Sequence, residues 1–334
     1  MSTNKLLLLY PGTNRHLGLW KDLETDERCY LRCTEWKKYN NKFLVYFQYI
    51  YFLIYKHFNW LPFHICWLEY HDIYKIVKHV DHLLVIDGAL NAVELTELKK
   101  CKKKNPSIKI SLYLINSMEA QSPTMMGVRP KISKFDWDNI FTFDFNDAKN
   151  YNYTLLGFNY FSSCNVESSH LPHSDVFFVG GLKGGRTEII YNIYTWLTSR
   201  GVKCDFFLMP IDNKNINHLP GVRYSQKWFP YEEILQHIQQ SECIIEIMQK
   251  GQSGATLRYF EAVSMNKKLL TNNPYIVDFP FYDSRWMRIF KTIDDIDLEW
   301  LNNAESVNYN YTGDFSPKHL VDFILSEKKN NEEV

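Results

Sequence analysis

Short apolar runs alternate with helix-patterned segments along the whole chain, and that alternation restricts the fold more than any other feature. In the first half, KLLLLY (Lys5–Tyr10), HLLVID (His82–Asp87), IKISLYLI (Ile108–Ile115) and NIFTFD (Asn139–Asp144) have the length and apolar content of strands. Between them, AVELTELKKCKKK (Ala92–Lys104) has a helical period with acids and bases three and four apart, and NDAKNY reads as a short capped helix. The pattern restarts in the second half. SDVFFVG (Ser174–Gly180), VKCDFFLM (Val202–Met209), CIIEIM (Cys243–Met248) and KKLLTNN (Lys267–Asn273) read as strands. RTEIIYNIYTWLTSRG (Arg186–Gly201), YEEILQHIQQSE (Tyr231–Glu242) and SPKHLVDFILSEKK (Ser316–Lys329) read as helices. Such alternation implies parallel sheets with helices on both faces. The expected fold class is therefore α/β, with two doubly wound Rossmann-like domains facing across a cleft.

The chain has 334 residues, more than the roughly 100–200 of one domain. The expected division is 1–165, 166–315 and a helix with a tail at 316–334 that packs back on the first domain. The linker falls in the polar, serine-rich NYFSSCNVESSHLPHS (Asn159–Ser174). Lys+Arg and Asp+Glu both total 38, so no global basic field argues for nucleic acid. The lysine cluster of Lys99–Lys109 reads as a solvated helix end. Seven scattered cysteines without a C-x-x-C pair disfavour a disulfide scaffold or zinc site and suit a reducing compartment. The opening apolar run of about five residues is too short for a signal h-region. A cytoplasmic protein is expected. The longest apolar stretch, Phe43–Trp60, contains Gln48 and Lys56 and is rich in tyrosine, so a spanning helix is not expected. Two readings stand: a buried helix, or a helix lying aromatic side down on a bilayer, which would give peripheral contact with the inner membrane face.

Two strand-to-helix turns can carry chemistry. VGGLKGGR (Val179–Arg186) lets backbone N–H groups approach an anion at a helix N-terminus. Gly180 and Gly181 would give the close approach, and Lys183 and Arg186 the charge-assisted contacts to a diphosphate. The alternative is a flexible turn with two surface cations. The stretch is neither a P-loop nor a clean G-x-G-x-x-G. The second turn is GQSGATLRYFEA (Gly251–Ala262). Ser253 can cap its helix, and Gln252 to Thr256 can present N–H groups to a phosphate. Arg258 and Glu261 share a helix face, either as a simple salt bridge or with Glu261 accepting both hydroxyls of a ribose.

The run from CIIEIM through LRYFEAVSMNKKLLTNN resembles the C-terminal domain of GT-B glycosyltransferases. It looks most like bacterial polysaccharide- and lipopolysaccharide-biosynthesis members akin to CgeB-type proteins, through R-x-x-E-A and LL-T-x-N. DHLLVIDGALN, KISLYLINSMEAQ and FDWDNIFTFDFNDAKNYN resemble the N-terminal half of the same group. The resemblance implies a nucleotide-sugar donor on the second domain and a glycan or lipid-linked acceptor on the first. It makes Glu261 the ribose ligand, Gly254, Ala255 and Thr256 part of the diphosphate turn, Arg258 the family arginine and Arg186 a phosphate contact. It sets Asn272 at the sheet edge facing the nucleotide. The E-x7-E pattern of many retaining members is broken, because Ser253 stands where the earlier acid would be.

The first-domain turn YPGTNRHLGLW would face the acceptor with Gly12, Thr13, Asn14 and Arg15. Asp87, Glu119 and His16 are the candidate bases for an acceptor hydroxyl, and each has an ordinary reading as a turn, loop or helix-start residue. No D-x-D motif falls on an expected strand end and no H-E-x-x-H occurs, so neither a metal nor a cofactor is expected. The competing readings are a non-catalytic nucleotide- or glycan-binding partner and a different nucleotide-using α/β enzyme, such as an epimerase or dehydrogenase.

Overall fold

The structure, a computed structural model, describes residues 4–12, 18–58, 64–120, 122–162, 166, 170–182, 186–210, 218–227, 229–249, 251–303 and 305–326. The chain divides into two compact units. Met1–His16, Leu23–Phe141 and Leu320–Val334 form the first, and Leu17–Asp22 and Thr142–His319 the second. Residues 142–165 thus group with the second unit, whereas the composition had set the division at 165.

The first sheet contains β1 (Leu6–Tyr10), β2 (Cys29–Cys33), β3 (His82–Ile86), β4 (Lys109–Leu114), β5 (Asn139–Thr142) and β6 (Thr154–Leu155) in the order β2-β1-β3-β4-β5-β6. β1 runs parallel to both β2 and β3, and β3 to β4. β3 is buried along its whole length and β1 along all but Tyr10, which is why both read as unbroken apolar runs. β2 is an edge strand with five half-buried residues, so CYLRC lacks the apolar run that announces a central strand.

Three of the helices in this unit show their end signals clearly. The helix Lys42–His57, here α1, starts at Asn41, whose side chain accepts from the Phe43 N–H. α2 (Leu95–Lys104) opens with a capping box between Glu94 and Glu97 and closes on three lysines that suit its negative end. α3 spans Pro123–Ile132. Ser122 caps it by accepting from the Met125 N–H at 3.2 Å.

In the second unit, α4 (Phe145–Tyr151) precedes β7 (Ser174–Leu182), α5 (Arg186–Thr198), β8 (Cys204–Pro210), β9 (Arg223–Tyr224), α6 (Tyr231–Gln239), β10 (Ser241–Glu246), α7 (Leu257–Ser264), β11 (Lys268–Thr271), β12 (Met287–Ile289) and α8 (Leu298–Asn302). Its six strands are all parallel and ordered β12-β11-β10-β7-β8-β9. That is the 3-2-1-4-5-6 order of a doubly wound dinucleotide fold, with the reversal between β7 and β10. Part of its core is formed by Val176, Phe178, Leu197, Phe206, Ile245 and Leu270, from strands and α5. The Lys268 ammonium is buried and donates to the carbonyls of Trp300, Leu301 and Asn303, which closes the C-terminal end of α8. Asp297 caps the start of α8, its side chain accepting from the Trp300 N–H.

α9 (Pro317–Ser326) ends the described chain. Its residues from Leu320 onward belong to the first unit. There Asp322 pairs with Arg28 at 2.7 Å, and the Phe323 ring meets Phe141 edge-on.

Candidate functional site

In an open α/β sheet, a ligand binds beyond the C-terminal strand ends where the strand order reverses. In the second unit those ends belong to β7 and β10. β7 ends with Gly180, Gly181 and Leu182, and α5 begins at Arg186. Gly180 is needed for space: a Cβ there would lie 2.6 Å from Nη2 of Arg186 and 2.9 Å from Cζ of Phe178. The guanidinium therefore rests over the end of β7, with its carbon 5.9 Å from the centre of the Phe178 ring. Arg186 Nε is buried and has no hydrogen-bond partner among the described residues. Burial pulls the Arg186 pKa down to about 10; Glu246 opposes that shift and Arg258 adds to it. Lys183 lies outside the described residues.

β10 ends in Glu246, which is 1% exposed. Its carboxylate accepts from the Thr256 N–H at 3.0 Å and from the Thr271 hydroxyl at 2.5 Å. Burial raises its pKa; those hydrogen bonds and the Arg258 charge oppose the rise. Beyond it, Gly251 sits at φ 87° in the left-handed region. Gly254 serves a close approach: a Cβ there would fall 2.4 Å from Cδ2 and 2.9 Å from the carbonyl oxygen of Phe143.

The partners of this turn differ from the expected phosphate cradle. The carboxylate of Asp144, which is fully buried, accepts from the N–H groups of Ser253 at 2.8 Å and Gly254 at 3.0 Å, and from the Ser253 hydroxyl at 2.8 Å. Asp144 also caps α4 by accepting from Asn146 and Asp147. The anion at the glycine turn is thus a side chain of the protein. Ser253 does not cap the following helix; Thr256 does, by accepting from the Arg258 N–H at 3.1 Å. The Gln252 N–H donates to the Gln249 carbonyl, the Gln252 side chain donates to the Gly254 carbonyl, and Ala255 is fully buried. Asn272, at the end of β11, accepts from the Met248 N–H at 2.7 Å and so ties the exits of β10 and β11 together.

One turn into α7, Arg258 and Glu261 form a buried two-pronged pair, with N–O distances of 2.8 and 2.7 Å. Glu261 is 2% exposed. Glu261 also lines a small open hollow of about 20 Å3 with Phe161, Tyr231, Phe260 and Tyr311. Neither Arg186 nor Glu246 borders that hollow. The charged cluster at the strand reversal, rather than the hollow, is the candidate site.

In the first unit, Thr13, Asn14, Arg15 and His16 lie outside the described residues. Gly12 packs tightly: a Cβ on it would meet Cγ of Glu35 and Sγ of Cys33 at 2.1 and 2.2 Å. Asp87 is fully buried, and its carboxylate is enclosed by donors from its own turn and the β4 exit. These are the N–H groups of Gly88, Ile115 and Asn116 and the Asn116 amide. This geometry ties two strand ends together and withholds Asp87 from a substrate hydroxyl, which corrects its place among the bases. Burial raises its pKa to about 6 against the pull of those donors. Glu119 is exposed on the turn after β4. Among the described residues, no cluster of three or more His, Cys, Asp or Glu could hold a metal ion.

Asp144 and Glu246 were not anticipated as partners of the glycine turn. Their signal is an acid closing an apolar strand run, FTFD and CIIE. Only the fold shows which N–H groups they meet.

No family model matches the chain, and no curated protein matches it in sequence. Solved structures do. A candidate UDP-N-acetylglucosamine 2-epimerase from Listeria monocytogenes superposes with a TM-score of 0.51 at 10% identity, covering 98% of this chain and 97% of its own. An alpha-glucosyltransferase in complex with UDP-glucose and DNA containing an abasic site gives 0.45 at 10% identity, over 84% and 82% of the two chains. The lipopolysaccharide outer core galactosyltransferase WaaB gives 0.43 at 13%, over 87% of each. The two parallel six-stranded sheets with alternating helices make the architecture that of the GT-B fold, two Rossmann-like units in one chain.

Proposed function

We propose that this protein is a glycosyltransferase that holds a nucleotide-sugar donor at the β7/β10 reversal of its second unit. The observation that carries the reading is Arg186: a half-buried arginine at a helix N-terminus, at the strand reversal, whose buried Nε has no hydrogen-bond partner among the described residues. A diphosphate there would receive charge-assisted hydrogen bonds from Arg186, joined by Lys183 from the same turn. The Glu246 carboxylate favours the ionised guanidinium of Arg186 against its burial and the like charge of Arg258. Glu261, oriented by Arg258, would accept from the ribose hydroxyls.

When the bond from the anomeric carbon to the diphosphate oxygen breaks, cations and a helix terminus can stabilise the departing nucleoside diphosphate, and that stabilisation requires no metal ion. Surface-polysaccharide synthesis of the lipopolysaccharide or CgeB-like kind, with a hexosyl donor and a glycan or lipid-linked acceptor on the cytoplasmic side, is the pathway that the sequence resemblance suggests. The base that deprotonates the acceptor is assigned to the first unit, where Glu119 and His16 remain candidates.

A second reading is carried by the comparison at TM-score 0.51, to a candidate nucleotide-sugar epimerase. Both readings need the same donor site and differ in products. A transferase releases nucleoside diphosphate only when an acceptor takes the sugar. An epimerase that keeps its donor intact changes the sugar without that release.

The test is thermal unfolding with UDP, GDP, CDP, ADP and dTDP and their sugars. A ligand at about 100 times its Kd stabilises by about 2.7 kcal/mol. Arg186→Ala should abolish the shift. Gly180→Ala, which displaces the guanidinium, should weaken it. If none of these ligands stabilises the wild type, the donor-site reading fails.

A further inference from the structure

Helix α1 is oriented against the usual rule for a helix on a water-soluble protein. Its polar side faces the protein: Gln48 donates to the Lys37 carbonyl, and Tyr55 donates to the Glu94 carboxylate. Tyr51, on the same side, stacks with Tyr55 and tilts against Trp67. Most of the remaining helix surface is apolar and uncovered. Phe43 is 76% exposed, Phe47 58%, Leu53 42% and Ile54 44%, and Tyr46 and Tyr49 flank them at 61% and 57%. Residues 43, 47, 50 and 54 repeat at helical spacing, so they form one stripe along the helix. This overturns the buried-helix reading of Phe43–Trp60.

Charge on the same segment indicates what covers the stripe. From Trp36 to Leu68 the sequence has four lysines, 37, 38, 42 and 56, two histidines and no acid. Lys38, just ahead of the helix, and Lys42, its first residue, are exposed. An apolar stripe edged by tyrosines and lysines, with acids excluded over 33 residues, complements an anionic lipid surface. The helix has 16 residues and is about 24 Å long, short of the roughly 30 Å hydrocarbon core. No described helix is long and apolar enough to cross a membrane.

We propose that α1 is a bilayer-docking helix. It would lie in the plane of an anionic membrane with Phe43, Phe47 and Ile54 sunk below the headgroups and Lys38 and Lys42 on the phosphates. The proposal stands independently of the donor-site reading, because lipid binding is measured without turnover.

The experiment is co-sedimentation of the full chain with phosphatidylcholine vesicles, with and without phosphatidylglycerol. Wild type should bind the anionic vesicles and lose binding as salt rises. Lys38→Ser/Lys42→Ser should weaken binding about 30-fold, at roughly fivefold per lysine. Phe43→Ser/Phe47→Ser/Ile54→Ser should abolish it, with unchanged circular dichroism and thermal unfolding confirming the fold. These residues are exposed, so the folded state should tolerate the change. Absence of wild-type binding to either vesicle overturns the proposal. So does binding that survives the triple substitution, or a concentration-dependent dimer, dissolved by that substitution, in a protein that ignores vesicles.

Discussion

Replacing Asp144 by alanine tests whether the glycine turn is held by the protein's own carboxylate. Five donors converge on Asp144: Asn146 N–H, Asp147 N–H, Ser253 N–H, the Ser253 hydroxyl and Gly254 N–H. Loss of the helix cap costs about 1 kcal/mol. The N–H groups of Ser253 and Gly254 would be left without their acceptor, at about 1–2 kcal/mol each. The total is about 3–5 kcal/mol. With an m-value of about 2 kcal/mol/M in urea, the midpoint should fall by about 2 M. Asp144→Asn keeps one acceptor oxygen and should fall about half as far. The assay is urea unfolding followed by tryptophan fluorescence, with amide hydrogen exchange at Ser253 and Gly254 as a local readout. Both amides should lose protection first. A double-mutant cycle with Ser253→Ala should show a coupling of at least about 1 kcal/mol. A midpoint shift under about 0.3 M, with both amides still protected, would refute the assignment of Asp144 as the anchor.

Gly254→Ala forces a methyl against the Phe143 ring and backbone and should cost about 1–3 kcal/mol in the same unfolding assay. Lys268→Met removes the ammonium that closes α8 while keeping the buried stem, and should destabilise by about 3 kcal/mol; an unchanged midpoint would count against that role. Asp87 gives a pH dependence: its folded pKa of about 6 lies above its ordinary 3.8, so the folded state holds the proton more tightly. Its relative stabilisation is complete below pH 3.8 and is lost as pH rises through about 6. The stability of wild type relative to Asp87→Asn should therefore fall across that window and stay flat above it.

Local patterns made the fold legible. β1 and β3 are buried on both faces, so their sequences cannot be mistaken for amphipathic elements. The edge strands β2, β9 and β12 were not legible, because short, half-exposed strands need no apolar run. Their pairing is settled by a neighbour distant in sequence. At the site, Arg186 and the two glycine turns were visible as strand-to-helix junctions. The partners of the turns were not. Ser253 reads as a cap in isolation, yet its hydroxyl donates to Asp144, 109 residues away.

The sequence by itself determined the α/β class, the two series of strands and helices, and the absence of a strong global charge. These follow from local periodicity and composition. Tertiary structure decided which groups meet. It set the reversal between β7 and β10, filled the Gly251–Gly254 turn with a carboxylate, withdrew Asp87 into a strand-end clamp and turned the apolar side of α1 outward. Hydrogen-bond partners and burial are properties of chain segments brought together from far apart. No local pattern states whether an apolar face will find a neighbour or face the solvent.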